Sequence, residues 1–326
     1  MARSSPECVT VVTGANARYA LPLAVMLRST LENLSAGCAM EAWVIDDGLG
    51  SGLRGRIEGS LDDRATVHWV DVRAADFEGL PLWGRMTVTC YFKLALGRVL
   101  PVETDRAIWL DADLLVLGDL RDLWRADMGG KSVMAARDPF VPSASSPHGV
   151  AVHAALGIPG DAPYLNSGVM LVDVRRWRED DVIGSALDYL RRFRERVFFF
   201  DQEALNVALH DRWGVLDEGW NRAVSSERLG LGAAGRGAAR ILHFSGSLKP
   251  WNYSSRSRHH ELYYAWVDRT AWRGWRPRPT VRGAMLRAYE ASRLRRLFHP
   301  LENRSLELIA RLTRSYSAAR NDEGLG

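Results

Sequence analysis

Cysteine is scarce in this chain of 326 residues: Cys8, Cys38 and Cys90 are widely spaced, odd in number and form no C-x-x-C pair. A disulfide framework, a thiolate zinc site and a dithiol redox centre are therefore excluded, and the three thiols read as small buried hydrophobes in a reducing compartment. No apolar run reaches the roughly 18 residues that a membrane-spanning helix needs. The first residues, Met1-Ala2-Arg3-Ser4-Ser5-Pro6-Glu7, lack the apolar core of a signal peptide. A cytoplasmic protein is the expectation. There is no G-x-S-x-G elbow to support a hydrolase and no internal repeat.

Acidic residues are sparse at the C-terminus. From Arg273 to Arg320 there are twelve arginines against Glu290, Glu302 and Glu307, although the net charge of the whole chain is only +4. Met285, Leu286, Tyr289, Leu294, Leu297 and Phe298 recur at helical spacing among these arginines. The pattern suits either a helix lying on an anionic membrane surface or one that packs its apolar stripe on the body of the protein. The basic stretch lacks the interleaved aromatic platform of a nucleic-acid binder, so no nucleic-acid partner is expected. Residues 1–275 are read as one domain and 276–326 as a basic helical tail.

With 47% hydrophobic residues, the chain can bury a full core. Its first 140 residues alternate strand-like and helix-like segments, which predicts an α/β architecture with a largely parallel sheet. Strands are expected at Val9-Val11-Val12-Thr13, Ala42–Ile45, Thr66–Val70 and Ala107–Leu110, and later at Gly168–Val172. Helices are expected from Leu21 to Leu34, with Pro22 in the first turn, from Tyr91 to Leu100, and from Val182 to Arg196. Gly230–Gly237 reads as a mobile loop.

Gly50-Ser51-Gly52-Leu53-Arg54-Gly55 satisfies G-x-G-x-x-G, and Asp71 ends the next strand. A dinucleotide site is nonetheless disfavoured. Asp46 and Asp47 close the preceding strand and would set negative charge beside a pyrophosphate, and Gly48-Leu49 displace the glycines from the strand end.

The segment that carries the chemistry is Ala107-Ile108-Trp109-Leu110-Asp111-Ala112-Asp113-Leu114-Leu115-Val116-Leu117. A buried strand here delivers two carboxylates to the C-terminal edge of a sheet, where α/β proteins bind ligands. Two carboxylates separated by one residue can share a hard divalent cation that grips a diphosphate. Taken alone, a D-x-D also fits a solvated turn or a helix N-cap. Three later segments follow it in order: Pro163-Tyr164-Leu165-Asn166-Ser167-Gly168, Phe200-Asp201-Gln202-Glu203-Ala204-Leu205-Asn206, and Ile241-Leu242-His243-Phe244-Ser245-Gly246-Ser247-Leu248-Lys249-Pro250-Trp251.

These four motifs resemble, in order and spacing, those of glycosyltransferase family 8, which contains glycogenin and the bacterial lipopolysaccharide galactosyl- and glucosyltransferases. The resemblance spans roughly residues 9 to 275. It implies a GT-A fold that uses a UDP-sugar and Mn²⁺, with Mg²⁺ as the substitute, and transfers a hexose with retention of configuration. It also implies that Asp111, Asp113 and His243 are metal ligands, and a nitrogen donor beside carboxylates independently favours Mn²⁺ over Mg²⁺. By the same resemblance Ala15, Asn16, Tyr19 and Ala112 would hold the nucleoside, while Gly246 and Lys249 would grip the phosphates. Lys93 stands where relatives carry Arg, which keeps the charge but not the bidentate fork; the bland reading is an exposed helix charge. Asp138, Asn166 and Asp201 would bind the donor sugar. Asp138 precedes Pro139 and also suits a turn. Gln202, with Asp201, would stand at the reacting face. Acceptors of this class are glycans or glycolipids. Two alternatives stay open: a sugar-nucleotide pyrophosphorylase, and a sugar-nucleotide binder without transferase activity.

Overall fold

The computed structural model describes residues 7–82, 86–228, 237–246, 249–255 and 257–291. Among these, ten strands form two sheets: β1 (Glu7–Asn16), β2 (Cys38–Asp47), β3 (Ala65–Val70), β4 (Arg106–Leu110), β5 (Leu114–Val116), β6 (Val133–Arg137), β7 (Leu165–Asp173), β8 (Trp213–Val215), β9 (Arg222–Ala223) and β10 (Ile241–His243). The larger sheet runs β3-β2-β1-β4-β7-β6-β8, and the smaller β5-β10-β9.

The first four strands of the large sheet are parallel, as the alternation of elements predicts. β7 is antiparallel to both of its neighbours, β4 and β6, which makes the whole sheet mixed. Successive residues of β4 point to opposite faces. Ile108 and Leu110 join one apolar cluster with Val9, Val11, Val44, Val169 and Leu171, and with the helix Ala20–Asn33. Ala107 and Trp109 join a second with Val12, Ile45, Met170, Val172 and the helices Val182–Arg192 and Phe200–Ala208. Burial on both faces is why the D-x-D strand is apolar without alternation.

Several boundaries differ from expectation. The Tyr91–Leu100 helix is a 3-10 turn over Val88–Ala95 followed by a short α-helix, Leu96–Val99. The Val182–Arg196 helix ends at Arg192 and resumes as a 3-10 turn, Arg194–Arg196. The strand expected at Gly168 begins at Leu165, so Asn166 and Ser167 lie inside β7 rather than before it. Polar side chains there hide the strand from apolar patterning, and β6 shifts register between Ala135 and Arg137 to pair with Leu165.

The glycine pattern after β2 is a helix start, Gly50–Glu58, with its anion position already filled. Asp46 Oδ1 accepts a hydrogen bond from Leu49 N at 2.7 Å, and its other oxygen pairs with Arg54. That arrangement keeps a carboxylate at the start of this helix, where a pyrophosphate would be disfavoured by charge.

Residues 229–236, most of the expected mobile loop, and residues 292–326, most of the basic tail, lie outside the described residues, Leu294, Leu297 and Phe298 with them. Of the tail, the helix Val281–Ala291 is described, and Met285 is 69% exposed on it. Among the described residues no helix is long and apolar enough to cross a membrane.

Leu171 is fully buried in the central strand β7. We predict that Leu171→Ala lowers unfolding stability by about 2–5 kcal/mol, measured by equilibrium urea denaturation.

Candidate active site

Three strand ends meet at the D-x-D. β4 stops at Leu110, and Asp111 N donates to Gly168 O of β7 at 2.9 Å. After Asp113 the chain continues as β5, whose Leu114 pairs with His243 of β10, and Phe244 N donates to Asp113 O at 3.0 Å. Backbone pairing therefore brings His243 beside carboxylates 130 and more positions earlier in the chain.

Each carboxylate has one oxygen anchored and the other directed at His243. Asp111 Oδ1 accepts from Trp109 Nε1 at 2.8 Å and lies 3.1 Å from Lys93 Nζ, while Asp111 Oδ2 is 3.9 Å from His243 Nε2. Asp113 Oδ2 pairs with Lys249, and Asp113 Oδ1 is 3.3 Å from His243 Nε2. The potential ligand atoms of the three residues lie within 4.8 Å of one another. Two carboxylates and one imidazole fit an octahedral divalent ion that keeps further positions for phosphate oxygens.

Two lysines balance this negative charge. Burial pulls the Lys93 ammonium down, but Asp111 and Asp201 outweigh it and hold the group above the ordinary lysine range. Burial likewise opposes the charged form of Lys249, and Asp113 more than offsets it. For Asp113, burial raises the carboxyl, and Lys249 and His243 overcome that to hold it well below the usual range. Lys249 also lies over the rings of Tyr19 and Trp251, at 5.9 and 5.7 Å from their centroids.

Lys93 is only 4% exposed, so it is not an exposed helix charge. Its ammonium is 2.9 Å from Asp201 Oδ2 and donates to Ser167 Oγ at 3.0 Å and Ser167 O at 3.3 Å. It thus joins the D-x-D to the cluster expected to hold the sugar. In that cluster Asp138 Oδ2 accepts from Asn166 Nδ2 at 2.8 Å and from Gln202 Nε2 at 3.0 Å. Gln202 Oε1 accepts from Ser167 N at 3.1 Å, and Ser167 Oγ donates to Asp201 Oδ2 at 3.2 Å. The other oxygen of Asp138 accepts from Phe140 N and Val141 N, so this residue shapes the turn as well.

The residues expected at the nucleoside and phosphates surround the same edge. Ala15 is buried near the end of β1, and Ala112 is buried between the two aspartates. Asn16 ends β1; its Oδ1 accepts from Arg18 N at 3.1 Å and its Nδ2 donates to Thr89 Oγ1 at 3.3 Å. Tyr19 packs edge-on against Trp251, with ring centroids 5.9 Å apart. Gly246 adopts φ +74°, a left-handed conformation that favours glycine.

Four contributors escaped sequence reasoning. Ser167 links Lys93, Asp201 and Gln202, and Asn221 contacts His243. Thr89 donates to Asp47 Oδ2 at 2.7 Å and so anchors Asn16. Glu203, fully buried, accepts from Phe198 N at 2.7 Å and Phe199 N at 3.1 Å. Its clamp on those two N–H groups adjoins Phe200, which is held at φ +43° immediately before Asp201 and Gln202. A bulky residue there costs on the order of 1–3 kcal/mol, and the turn it makes aims the next two side chains into the site. An acid within the first turn of a predicted helix is the one signal that could have found Glu203.

A mixed sheet with a D-x-D at the end of its fourth strand places this protein in the GT-A architectural class. The galactosyltransferase LgtC, solved with donor and acceptor sugar analogues, shares the fold with a TM-score of 0.71 and 22% identity, over 80% of this chain and 96% of that one. Mouse xyloside xylosyltransferase 1 shares it with a TM-score of 0.56 and 18% identity, over 73% and 98%. Residues 10–255 match the family described as Glycosyl transferase family 8. The chain belongs to that family and is a glycosyltransferase. General stress protein A of Bacillus subtilis is 25% identical over 283 residues, 82% of this chain and 95% of that protein. The lipopolysaccharide 1,2-glucosyltransferase of Escherichia coli K12 is 24% identical over 267 residues, 76% and 74%. Glycosyltransferase GlyF of Streptococcus pneumoniae is 27% identical over 63% of this chain, which spans about half (48%) of that longer protein.

Lys93→Met would leave Asp111 and Asp201 without their shared cation, an expected loss of about 3–5 kcal/mol in urea unfolding at pH 7. Burial already raises the Asp201 carboxyl above its ordinary value despite the neighbouring lysine. A raised folded-state carboxyl penalises the fold above that pKa and relieves it below, so the deficit of the variant narrows as pH falls from 7 towards 4.

Proposed function

We propose that this protein transfers a hexose, glucose or galactose, from a UDP-sugar to a hydroxyl group of a glycan or glycolipid, with a divalent ion, Mn²⁺ in preference to Mg²⁺, and with retention of configuration. The observation that carries this reading is the convergence of Asp111 Oδ2, Asp113 Oδ1 and His243 Nε2 beside a separate polar cluster of Asp138, Asn166 and Gln202. One set suits a metal diphosphate, the other a ring of sugar hydroxyls. The names of the E. coli glucosyltransferase and of the galactosyltransferase LgtC support a hexose in particular.

Asp111, Asp113 and His243 would hold a divalent cation, whose chemistry would be Lewis-acid neutralisation of the diphosphate leaving group. Lys249 is positioned to turn from Asp113 towards that phosphate and add a second positive charge, and the left-handed turn at Gly246 lets backbone approach it closely. Asn16, Tyr19, Ala15 and Ala112 form the nucleoside end. Lys93 stays behind the carboxylates, where its charge holds Asp111 and Asp201 in place.

The bond from the anomeric carbon to the β-phosphate oxygen breaks, the bond to the acceptor oxygen forms on the same face, and the acceptor proton passes to the departing phosphate. The sugar carries oxocarbenium character as this happens. Gln202 is unsuited to covalent attack, being a neutral amide whose oxygen is already bonded to Ser167 N–H and whose nitrogen is bonded to Asp138. Its carbonyl dipole supports the developing positive charge instead.

The first test is UDP release from a panel of UDP-sugars without acceptor, in Mn²⁺, Mg²⁺ or EDTA. We expect Mn²⁺-dependent turnover of a UDP-hexose that EDTA and Asp113→Ala abolish. Silence across the panel together with no binding of UDP would overturn the reading. In the same assay Gln202→Ala should reduce kcat by at least about tenfold with UDP affinity almost unchanged, the signature of a group that acts only as charge develops.

A further inference from the structure

An unbroken line of hydrogen bonds runs behind the candidate metal ligands, from Asp138 to His243. Asn166 Nδ2 donates to Asp138 Oδ2 at 2.8 Å, and Asn166 Oδ1 accepts from Gly168 N at 3.0 Å. Asn221 Nδ2 donates to that same Asn166 Oδ1 at 2.8 Å, and Asn221 Oδ1 lies 2.8 Å from His243 Nδ1. All four side chains are buried, none more than 8% exposed.

Donors and acceptors along this line have no freedom to exchange. A carboxylate only accepts and a backbone N–H only donates, so Asp138 and Gly168 together fix which end of the Asn166 amide is oxygen. Asn166 Oδ1 can then only accept, so Asn221 must turn its amino group towards it and its carbonyl towards His243. A carbonyl opposite Nδ1 requires the imidazole to carry a proton there. In the neutral ring, the form that can bind a metal, this leaves the Nε2 lone pair facing Asp113 Oδ1 at 3.3 Å and Asp111 Oδ2 at 3.9 Å, where a cation would sit.

We infer that Asn221 is a positioning residue for the metal site: it sets the Nδ1–H tautomer of His243, aims Nε2 at the ion, and ties the metal end of the site to the sugar end through Asn166. Two further features fit this role. Asn221 closes the 3-10 turn Glu218–Asn221, and the next residues pair with β10 at Arg222 with Leu242 and Ala223 with His243, so backbone register holds amide and ring side by side. A Cβ on Gly168 would stand 2.4 Å from His243 Cε1 and 2.7 Å from Nδ1. The imidazole is thus packed on bare backbone as well as held by the Asn221 carbonyl.

This inference rests on the metal-site reading above, and the test separates the two. Mn²⁺ affinity is measured by electron paramagnetic resonance on the purified protein and on two variants. Asn221→Leu removes both hydrogen bonds at similar volume and is expected to weaken Mn²⁺ binding about 10–100-fold. Asn221→Asp keeps the acceptor opposite Nδ1 but loses the donor to Asn166, so it should retain Mn²⁺ affinity while UDP-sugar turnover falls. Independently of any variant, ¹⁵N NMR of the histidine side chains with diamagnetic Mg²⁺ should show His243 protonated at Nδ1 and not at Nε2, which decides the matter should Asn221→Leu fail to fold. Unchanged Mn²⁺ affinity in a folded Asn221→Leu, or a proton on Nε2 in the Mg²⁺ form, would overturn the role of Asn221 and leave the metal site standing. A wild-type protein that takes up no Mn²⁺ would overturn both.

Discussion

Lys93 places one positive charge between two carboxylates from distant parts of the chain, Asp111 at 3.1 Å and Asp201 at 2.9 Å. Without it the end of β4 and the start of the helix Phe200–Ala208 would repel one another across a buried gap. With it, the D-x-D edge and the Asp201-Gln202 turn share one rigid floor, and Ser167 fastens β7 into the same floor through its hydroxyl and carbonyl oxygen. A buried ion group of this kind contributes little net stability compared with an apolar core of the same shape. Its contribution here is geometric, because it fixes the separation between the two halves of the site.

Above that floor the polar atoms are arranged so that each has a defined partner. Gln202 and Asn166 are amides whose two ends are read by opposite kinds of neighbour, a carboxylate and a backbone N–H, and Asn221 is read in turn by the Asn166 oxygen and His243 Nδ1. Fully satisfied networks in a low-dielectric interior are stiff, and a stiff network can present a charge-stabilising dipole without reorganising as the reaction proceeds. The left-handed Phe200 and the Glu203 clamp beside it serve the same end, since local strain is held where side-chain direction matters.

Much of this was legible from residue order. The parallel strands β1 to β4, the helix with Pro22 in its first turn, and the D-x-D at a strand end all follow from hydrophobic runs and breakers that act over a few residues. Charge disfavours the Gly50–Gly55 pattern as a dinucleotide site, and Asp46 accepts from Leu49 N just ahead of that helix. The start of β7 reads as a loop in the sequence because Asn166 and Ser167, buried inside the strand, are polar and break the apolar pattern. Asn221 and Thr89 had no local signal of their roles, because each is defined by what it touches.

By itself, then, the sequence determined the chemistry available: which carboxylates, imidazole, amides and lysines exist, and which strand and helix ends carry them. It did so because those properties are set by side-chain type and by short-range backbone preference. Only the tertiary structure decided their assembly. Pairing β10 with β5 put His243 at the D-x-D, and the antiparallel placement of β7 between β4 and β6 brought Asn166 and Ser167 to the same edge. The line of hydrogen bonds from Asp138 to His243 crosses four separate segments of chain, and its order is a property of the packed fold that no local pattern encodes.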